Sequence, residues 1–436
     1  MLARYADSSC IRFHMPGHGG VGNGNFLQSV LKYDVTENSG TDNLYSPEKG
    51  GFVENTLNKI KNTYETVSSV ISAHGATAAI QSAVYCCIRL KGKRFFIDRR
   101  SHASVLNAMA LSDCSFDYFT SFDDLAEKLS CNSHSSVILT SPDYYGKMAD
   151  VEKYSELCKS NDCLLVVDNS HGSHLLWHDK NMHPIFQGAD LAVDSYHKTL
   201  PVLTGGAVLH SNVCDEKMLL NGIKLFASTS PSYLIAASVD LALDFMNKEG
   251  QKLLFELCGK ISDFIRNISG LGIERKKFGI FDPYRITLTS TPVNGLCYDM
   301  NAFCSFLAEK NIFAEFSDRE SCVLIPSVFT NKNDFLYLCD AIREFSRQYK
   351  RTCPPSKDRA EYPVCERKIS LSEAVFSQRK TVSVSDSYEM VSGETKYIYP
   401  PGIPIISPGE VINKEVMQIL TENNIDKIDV IPYEKC

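Results

Sequence analysis

The sequence predicts an α/β protein in which a mostly parallel sheet, covered by helices on both faces, is followed by a smaller α/β part. Short apolar segments alternate with helical patterns between residues 54 and 248. A similar alternation returns beyond residue 250, and polar side chains directly follow several predicted strands. The chain has 436 residues, more than one small hydrophobic core requires, so we expect two or three domains.

The chain is predicted to begin with an arm and a helix. Residues 1–50 are rich in Gly, Asn, Asp and Ser, which favour irregular structure. Apolar residues recur at helical spacing from Glu54 to Ser69. The elements expected next are helices at Ala76–Leu90, Ser104–Leu111, Val151–Lys159 and Pro231–Lys248, and strands at Arg94–Ile97, Ser136–Thr140, Cys163–Val167, Leu191–Val193 and Ala207–His210.

The second half predicts further α/β structure. Strands are expected at Tyr284–Leu288 and Cys322–Ile325, and the polar, proline-containing segment 351–368 predicts a linker. We therefore expect an N-terminal arm (1–50), a large domain (51–248), a small α/β domain (249–350) and a C-terminal subdomain (351–436).

Composition argues against several functional classes. The formal net charge of −7 disfavours a nucleic-acid partner. Apolar runs such as Leu164–Val167 are far shorter than the ~20 residues a bilayer span needs, and Met1–Asp7 lacks the apolar core of a signal peptide. The 16 cysteines include no CxxC pair, so we expect free thiols. These features predict a cytoplasmic protein without a membrane or nucleic-acid partner.

Polar residues cluster after the predicted strands. Asp168 follows one strand, Asp98 and His102 follow another, and Ser195 to Lys198 follow a third. Ligands of open α/β sheets bind beyond the carboxyl ends of the strands. We therefore expect these side chains to converge on one edge of the sheet.

Lys198 and Asp168 together indicate pyridoxal 5'-phosphate (PLP) chemistry. A desolvated lysine has a lowered pKa and attacks carbonyl groups. A PLP enzyme also needs a carboxylate against the pyridine nitrogen. Each residue alone has an ordinary alternative: Lys198 as a strand-end lysine that reaches solvent, and Asp168 as a helix N-cap.

Other candidates carry weaker signals. His102 can stack on a cofactor ring or be an ordinary surface residue, and Gly75–Thr77 can cradle a phosphate or simply begin a helix. His171, His174 and His178 raise the possibility of a metal site. They lack the acidic residue of HExxH and a spacing-defined third ligand, so we predict no metal.

Seven segments carry a recognisable pattern. They are Phe13-His14-Met15-Pro16-Gly17-His18 with Asp34-Val35-Thr36-Glu37, Asp98-Arg99-Arg100-Ser101-His102, Thr140-Ser141-Pro142-Asp143-Tyr144-Tyr145-Gly146, Asp168-Asn169-Ser170-His171-Gly172-Ser173-His174, Ser195-Tyr196-His197-Lys198-Thr199-Leu200-Pro201, Ser228-Thr229-Ser230-Pro231-Ser232-Tyr233, and Tyr399-Pro400-Pro401-Gly402-Ile403-Pro404. In this order they resemble the Orn/Lys/Arg decarboxylases of the aspartate-aminotransferase fold (fold type I). The sequence is most similar to the short bacterial forms related to arginine decarboxylase, which lack an N-terminal wing domain.

The resemblance implies a fold type I large domain with a seven-stranded type of sheet, and PLP as cofactor. Lys198 would form the Schiff base, Asp168 would pair with the pyridine nitrogen, His102 would stack on the ring and His171 would lie beside it. The phosphate would be held by Gly75, Ala76, Thr77, Ser195 and His197. Because the family's site forms at a dimer interface, we expect a homodimer or a higher homo-oligomer in which Ser230 serves the neighbour's phosphate.

The chain departs from the family pattern at several positions. Ala76 removes a hydroxyl from the phosphate loop, and Asn169 and Ser170 replace the usual Glu and Ala. Other departures are Gly19 after His18, Ala103 after His102, and the segment Thr41–Pro47. Lys198, Asp168 and His102 are all retained.

The resemblance predicts decarboxylation of a basic amino acid to its amine and CO₂, as in polyamine biosynthesis, with arginine favoured over lysine and ornithine. Glu315 and Asp318 match an acidic pair in the family's second domain, to which we assign no role. Two alternatives stay open: another fold type I reaction, such as transamination or retro-aldol cleavage, and a catalytically degenerate homologue with a regulatory role. CO₂ release, keto-acid dependence and the presence of a cofactor band distinguish them.

Overall fold

The computed structural model describes residues 11–13, 42–277, 279–352, 363–398 and 402–432. Several sequence predictions therefore lie outside the described residues. These are most of the N-terminal arm, including the motif residues 14–18 and 34–37, and the first part of the last motif, 399–401.

The structure alternates strands and helices as predicted. The strands are β1 Ile11–Phe13, β2 Ser68–Ser72, β3 Arg94–Asp98, β4 Ser115–Phe119, β5 Ser136–Thr140, β6 Leu164–Asp168, β7 Leu191–Asp194, β8 Ala207–Ser211, β9 Ile273–Arg275, β10 Ile286–Ser290, β11 Ile312–Ala314, β12 Phe316–Ser317, β13 Ser321–Leu324, β14 Lys380–Ser383, β15 Val391–Ser392, β16 Lys396–Ile398, β17 Ile403–Ile406 and β18 Lys427–Ile431. The α-helices are Phe52–Tyr64, Gly75–Lys91, Ala103–Leu111, Phe122–Ser130, Val151–Ser160, Tyr196–Thr199, Glu216–Phe226, Tyr233–Phe245, Gln251–Asn267, Met300–Glu309, Lys332–Gln348, Leu371–Phe376 and Lys414–Glu422. Single 3₁₀ turns lie at Ser173–Trp177, Lys180–Met182 and Val384–Asp386, and a π-helical turn lies at Met246–Gly250.

The large sheet has seven strands in the order β2-β8-β7-β6-β5-β3-β4. Strand β8 runs antiparallel to both of its neighbours, and the remaining pairs are parallel. This confirms the predicted mostly parallel sheet of seven strands. The parallel strands point their carboxyl ends at one edge, where the candidate site lies.

Both faces of this sheet are buried, because neighbouring residues of a strand point to opposite sides. On β3, Phe95 and Ile97 join the main apolar core, whereas Phe96 joins a second core on the other face. Strand β6 alternates in the same way, with Val166 in the first core and Val167 in the second. Continuous apolar runs in the sequence therefore correspond to central strands.

Several predictions differ from the structure. The helix predicted to reach Ser69 ends at Tyr64, because Glu65 adopts a left-handed conformation (φ 53°) and the following residues form β2. Strand β4 and the helix after it, Phe122–Ser130, were not predicted. The long helix begins at Tyr233 rather than Pro231, with Ser232 as its N-cap, and continues through the π turn into Gln251–Asn267.

Smaller sheets follow the large one. Strands β12-β13-β10-β9 form an antiparallel sheet, and β1 pairs in parallel with β11. In the C-terminal part, β14-β18-β15 form a sheet beside an apolar core that includes Ile405 and Val416. The buried Arg99 guanidinium joins this part to the large sheet, since it donates to the carbonyls of Pro363, Pro404 and Ile405. Among the described residues, none of the helices has the length and apolarity needed to cross a membrane.

Candidate active site

A cleft with a volume of about 230 Å³ lies at the carboxyl edge of the large sheet. Its walls combine the residues predicted for the site with several that were not. The lining residues are Gly75, Ala76, Thr77, Ile80, Arg100, His102, Ser104, Thr140, Asp143, Tyr144, Asp168, Ser170, His171, Ser195, His197, Lys198 and Ile403. Thus the structure brings together every predicted site residue except Ser230.

One end of the cleft is a helix N-terminus. The helix Gly75–Lys91 begins there, and the side chain of its N-cap residue, His74, makes no capping hydrogen bond. Gly75 has φ 73°, a conformation that glycine adopts without steric cost. Ser195 directly follows β7, His197 lies in the short helix Tyr196–Thr199, and both line the same cleft. Main-chain amides at a helix N-terminus bind anions, so this end suits a phosphate.

Asp168 occupies the middle of the cleft. It is the last residue of β6 and only 4% exposed. Its Oδ1 accepts hydrogen bonds from the main-chain N–H of Ser170 (3.1 Å) and from the Ser170 hydroxyl. The departure at Ser170 therefore adds a donor to this carboxylate.

His102 lies at the start of the helix Ala103–Leu111 and is its N-cap. Its Nδ1 accepts from the main-chain N–H of Ser104 at 3.1 Å, which leaves Nε2 to carry the proton of the neutral ring. Burial lowers the pKa of His102, and the charge of Asp168 opposes this shift. The ring is thus predicted to be neutral near pH 7, and its capping bond fixes its orientation.

Lys198 and His171 are in direct contact, with 3.2 Å between Lys198 Nζ and His171 Nε2. Burial lowers the pKa of Lys198, and the charge of Asp168 opposes that shift. Burial also places the pKa of His171 well below its usual value, and Lys198 and Arg285 add to this effect. A lysine with a lowered pKa has more of its amine in the nucleophilic form.

Arg285 was not predicted. It is 2% exposed, and its guanidinium donates to His171 Nδ1 (3.2 Å) and to the Tyr144 carbonyl (3.1 Å). The sequence did contain a signal, because an arginine stood inside the apolar segment predicted as the strand Tyr284–Leu288. The observed strand, β10, begins one residue after Arg285.

Glu315 and Asp318, the acidic pair from the second half of the chain, contact the two tyrosines of the loop after β5. The Tyr144 hydroxyl donates to Glu315 Oε1 at 2.6 Å, and the Tyr145 hydroxyl donates to Asp318 Oδ2 at 2.8 Å. The Tyr144 ring also makes an edge contact with His171. Glu315 and Asp318 therefore hold the loop that follows β5.

The three histidines considered for a metal contact different partners. His171 contacts Lys198, His174 Nε2 lies 3.1 Å from Asp282, and His178 Nδ1 lies 2.7 Å from the Tyr284 hydroxyl. Their ring nitrogens therefore serve three separate contacts, a pattern of hydrogen bonding rather than shared metal ligation.

A second set of titratable groups, His183, Asp194 and His210, is fully buried behind β7. The main-chain N–H of Ile185 donates to His183 Nδ1 at 3.3 Å, so the neutral ring carries its proton on Nε2. That atom lies 3.1 Å from Asp194 Oδ2 and donates to it. Since a metal requires an unprotonated ring nitrogen, the geometry favours a hydrogen-bonded network over a metal site.

The loop Ser228–Ser230 is exposed near the same helix N-terminus. The main-chain N–H of Ser228 donates to His74 Nε2 at 3.2 Å, and that of Ser230 donates to the Ser228 hydroxyl at 3.2 Å. Ser230 does not line the cleft of its own chain.

Sequence comparisons identify related families. The family described as "Orn/Lys/Arg decarboxylase, major domain" matches residues 120–324, and "Orn/Lys/Arg decarboxylase, C-terminal domain" matches residues 358–423. The chain is 25% identical to an arginine decarboxylase of Halalkalibacterium halodurans, over 97% of this chain and 92% of the relative. It is 24% identical to an arginine decarboxylase of Bacillus subtilis, with the same coverage of 97% and 92%.

Solved structures show the same fold. A lysine decarboxylase of Francisella novicida superposes with a TM-score of 0.76 and 18% identity, covering 98% of this chain and 80% of that one. A serine palmitoyltransferase of Sphingomonas wittichii superposes with a TM-score of 0.62 and 14% identity, covering 78% and 87%. The fold is therefore shared with enzymes named for different reactions.

Proposed function

Because the chain belongs to the Orn/Lys/Arg decarboxylase family, we propose that it is a PLP-dependent decarboxylase of a basic amino acid. The observation that carries this proposal is the cleft itself. It combines an anion-binding helix N-terminus, the buried Asp168 carboxylate and the Lys198 amine. These are the three groups needed to hold a phosphate, a pyridinium nitrogen and an aldehyde carbon.

The residues of the cleft fit PLP in their chemistry. The helix start at Gly75, Ala76 and Thr77, together with Ser195 and His197, would hold the phosphate. Asp168 would keep the ring nitrogen protonated, His102 would lie against the ring, and Lys198 would hold the cofactor covalently. Bound PLP supplies the electron sink that accepts the electron pair released when the substrate carboxylate leaves as CO₂.

The protein's own groups would position substrate and protons around that cofactor. Lys198 Nζ, when it is not bonded to the cofactor, and His171 Nε2 lie 3.2 Å apart, close enough to share a hydrogen bond. Tyr144, which lines the cleft, packs its ring edge-on to His171 and so limits water around this pair.

Arginine is the substrate that we favour, ahead of lysine and ornithine. The support is the 24–25% identity to relatives named arginine decarboxylase over nearly the whole chain. Asp143 lines the cleft, and its carboxylate gives the wall an anionic group suited to a cationic side chain. Glu315 adds a second carboxylate behind Tyr144.

The test is an amine-product screen by mass spectrometry. Purified protein with PLP is incubated separately with arginine, lysine, ornithine and, as a neutral control, leucine. We expect the amine of at least one basic amino acid and none from leucine. Lys198→Ala is the matched control and should form no amine. No amine from any basic amino acid, or equal amounts from Lys198→Ala, would refute the proposal.

We also propose that the working form is a homodimer. The exposed Ser228–Ser230 loop beside the helix start at Gly75 supports this, because Ser230 lies outside its own cleft but close to an anion-binding end. Sedimentation equilibrium of the active protein should give a mass of at least twice the 48.6 kDa chain. A fully active monomer would contradict it.

A further inference from the structure

Arg285 is anchored so that its guanidinium contacts His171 at two atoms, the side-chain Nδ1 and, at 3.4 Å, the main-chain carbonyl oxygen. Nη1 donates to the Tyr144 carbonyl at 3.1 Å, and Nη2 donates to His171 Nδ1 at 3.2 Å. The backbone of Gly146 (φ 90°) provides the room, since a Cβ there would lie 2.6 Å from Arg285 Cγ. The side chain is 2% exposed, so its position is set by these contacts and not by solvent.

This contact determines the tautomer of His171. A guanidinium has only donors, so His171 Nδ1 must accept and cannot carry a proton. The neutral ring therefore holds its proton on Nε2, which faces Lys198 Nζ at 3.2 Å. An N–H donor is favourable beside an amine with a lone pair and unfavourable beside an ammonium, which has only donors.

We propose that Arg285 is a positioning residue that fixes the Nε2–H tautomer of His171 and thereby holds Lys198 in its uncharged, nucleophilic form whenever the lysine is not bonded to the cofactor. The inference rests on the proposed role of Lys198 as the cofactor-binding lysine. No local sequence pattern indicates this link, because Arg285 comes from the second half of the chain and His171 from the first.

The other groups facing Lys198 act in both directions. Asp168 and Glu315 favour the ammonium form, whereas burial and the charge of Arg285 oppose it. His102 and His197 also line the cleft beside the lysine. The carboxylates alone would keep Lys198 charged. In the proposed arrangement Arg285 opposes them in two ways, through its own charge and through the tautomer of His171.

The first test measures the ionisation of Lys198 without using catalysis. The full chain is freed of cofactor by dialysis against hydroxylamine, and the labelling rate of Lys198 by trinitrobenzenesulfonate is followed from pH 6 to 10 by peptide mass spectrometry. In Arg285→Met we expect the midpoint to rise by about one pH unit, which slows labelling below the midpoint about tenfold. Arg285→Lys keeps a charge and one donor and should lie in between.

The matched control is Arg275→Met. Arg275 donates to the carbonyls of Asp282, Pro283 and Arg285, so its loss loosens the same loop without removing a contact to His171. We expect the wild-type midpoint for this control. An unchanged midpoint in Arg285→Met, or an equal shift in Arg275→Met, would overturn the proposal.

A second measurement needs no variant of Arg285. In cofactor-free protein carrying ¹⁵N-histidine, the ring signals of His171 are assigned by their loss in His171→Gln. We expect a protonated Nε2 and an unprotonated Nδ1. A proton on Nδ1 would overturn the proposal even if Arg285→Met fails to fold. Neither measurement depends on amine formation, so failure here is distinct from failure of the proposed decarboxylation.

Discussion

Two clusters of titratable side chains lie near the end of β7 but differ in their charge balance. The lysine cluster (Lys198, His171 and Arg285) places two basic groups around one imidazole. The aspartate cluster (Asp194, His183 and His210) surrounds one carboxylate with donors. Asp194 is the last residue of β7 and Lys198 lies in the short helix that follows it, whereas His210 lies within β8.

The carboxylate of the aspartate cluster is satisfied. Besides His183, Asp194 accepts from the Asn169 amide at 2.6 Å and from the Tyr64 hydroxyl at 3.2 Å. Burial raises the pKa of Asp194, but His183 and, after it, His210 outweigh this effect and hold the pKa below its usual value. A fully paired buried carboxylate stabilises one arrangement of its neighbours.

The lysine cluster is not balanced in this way. The pKa values of Lys198 and His171 both fall, in each case mainly through burial. Groups held away from their ordinary protonation state at the edge of a cleft are typical of reactive sites. The two clusters therefore have opposite roles. The aspartate cluster holds its neighbours in one arrangement, and the lysine cluster keeps its groups reactive at the edge of the sheet.

The two clusters are connected by Asn169. This residue directly follows Asp168, and its amide donates to Asp194. The aspartate cluster therefore fixes the strand end that carries the proposed pyridinium partner. The departure from the family's Glu at this position provides the donor that Asp194 uses.

The largest effect is expected at the reactive edge, for Asp168→Asn. An amide cannot keep the cofactor's ring nitrogen protonated, so activity should fall about 1000-fold, while the free energy of unfolding changes little. Steady-state amine formation and urea unfolding measure the two. Rates within a few-fold of wild type would show that Asp168 has a different role.

The opposite pattern is expected for Asp194→Asn. Removing the charge leaves at least one donor of the cluster without an acceptor, so the free energy of unfolding should fall by about 3 kcal/mol. Urea unfolding measures this. Asp215→Asn is the control, because Asp215 is an N-cap outside the cluster and Asn is an equivalent N-cap. Equal stability of the two variants would contradict the contrast between the clusters.

The sequence predicted the edge of the sheet that carries the cleft much better than it predicted the buried aspartate cluster. Apolar runs such as Leu164–Val167 predicted the central strands, and the polar residues at their ends, among them Asp168 and Lys198, predicted where the cleft lies. Strand β4 was missed because alternate residues, Ser115 and Asp117, are exposed at the edge of the sheet, so it lacks a continuous apolar run.

The contacts that connect distant segments were not predictable. Arg285 lies 114 positions from His171 and Tyr64 lies 130 from Asp194, and no local pattern indicates such pairs. The end of the first helix was also missed, since the left-handed turn at Glu65 is unusual for a residue other than glycine or asparagine. Tertiary packing decided these features.

The smallest expected effect separates the clusters by pH. The pKa of His171 lies well below its usual value, so below about pH 6.5 the unfolded chain binds a proton that the folded chain does not. Stability contributed by this difference is complete above that pH and is lost as the pH falls. Asp194 has a depressed pKa, so its contribution is present above about pH 4 and is lost only in more acidic solution. Burial also lowers the pKa of His210. His210 therefore adds to the loss of stability near neutral pH, equally in wild type and in the His171→Gln variant.

The free energy of unfolding falls between pH 7.5 and 5.5, and we expect this fall to be about 1 kcal/mol smaller in His171→Gln than in wild type. His134→Gln, at an exposed histidine paired with Asp162, should leave the decline as it is in wild type. Urea unfolding at half-unit intervals of pH measures both. A decline in His171→Gln as steep as in wild type would mean that His171 can take up a proton in the folded protein. Such a proton would occupy Nδ1, where the Arg285 guanidinium donates, so the result would also count against the contact on which the lysine cluster depends.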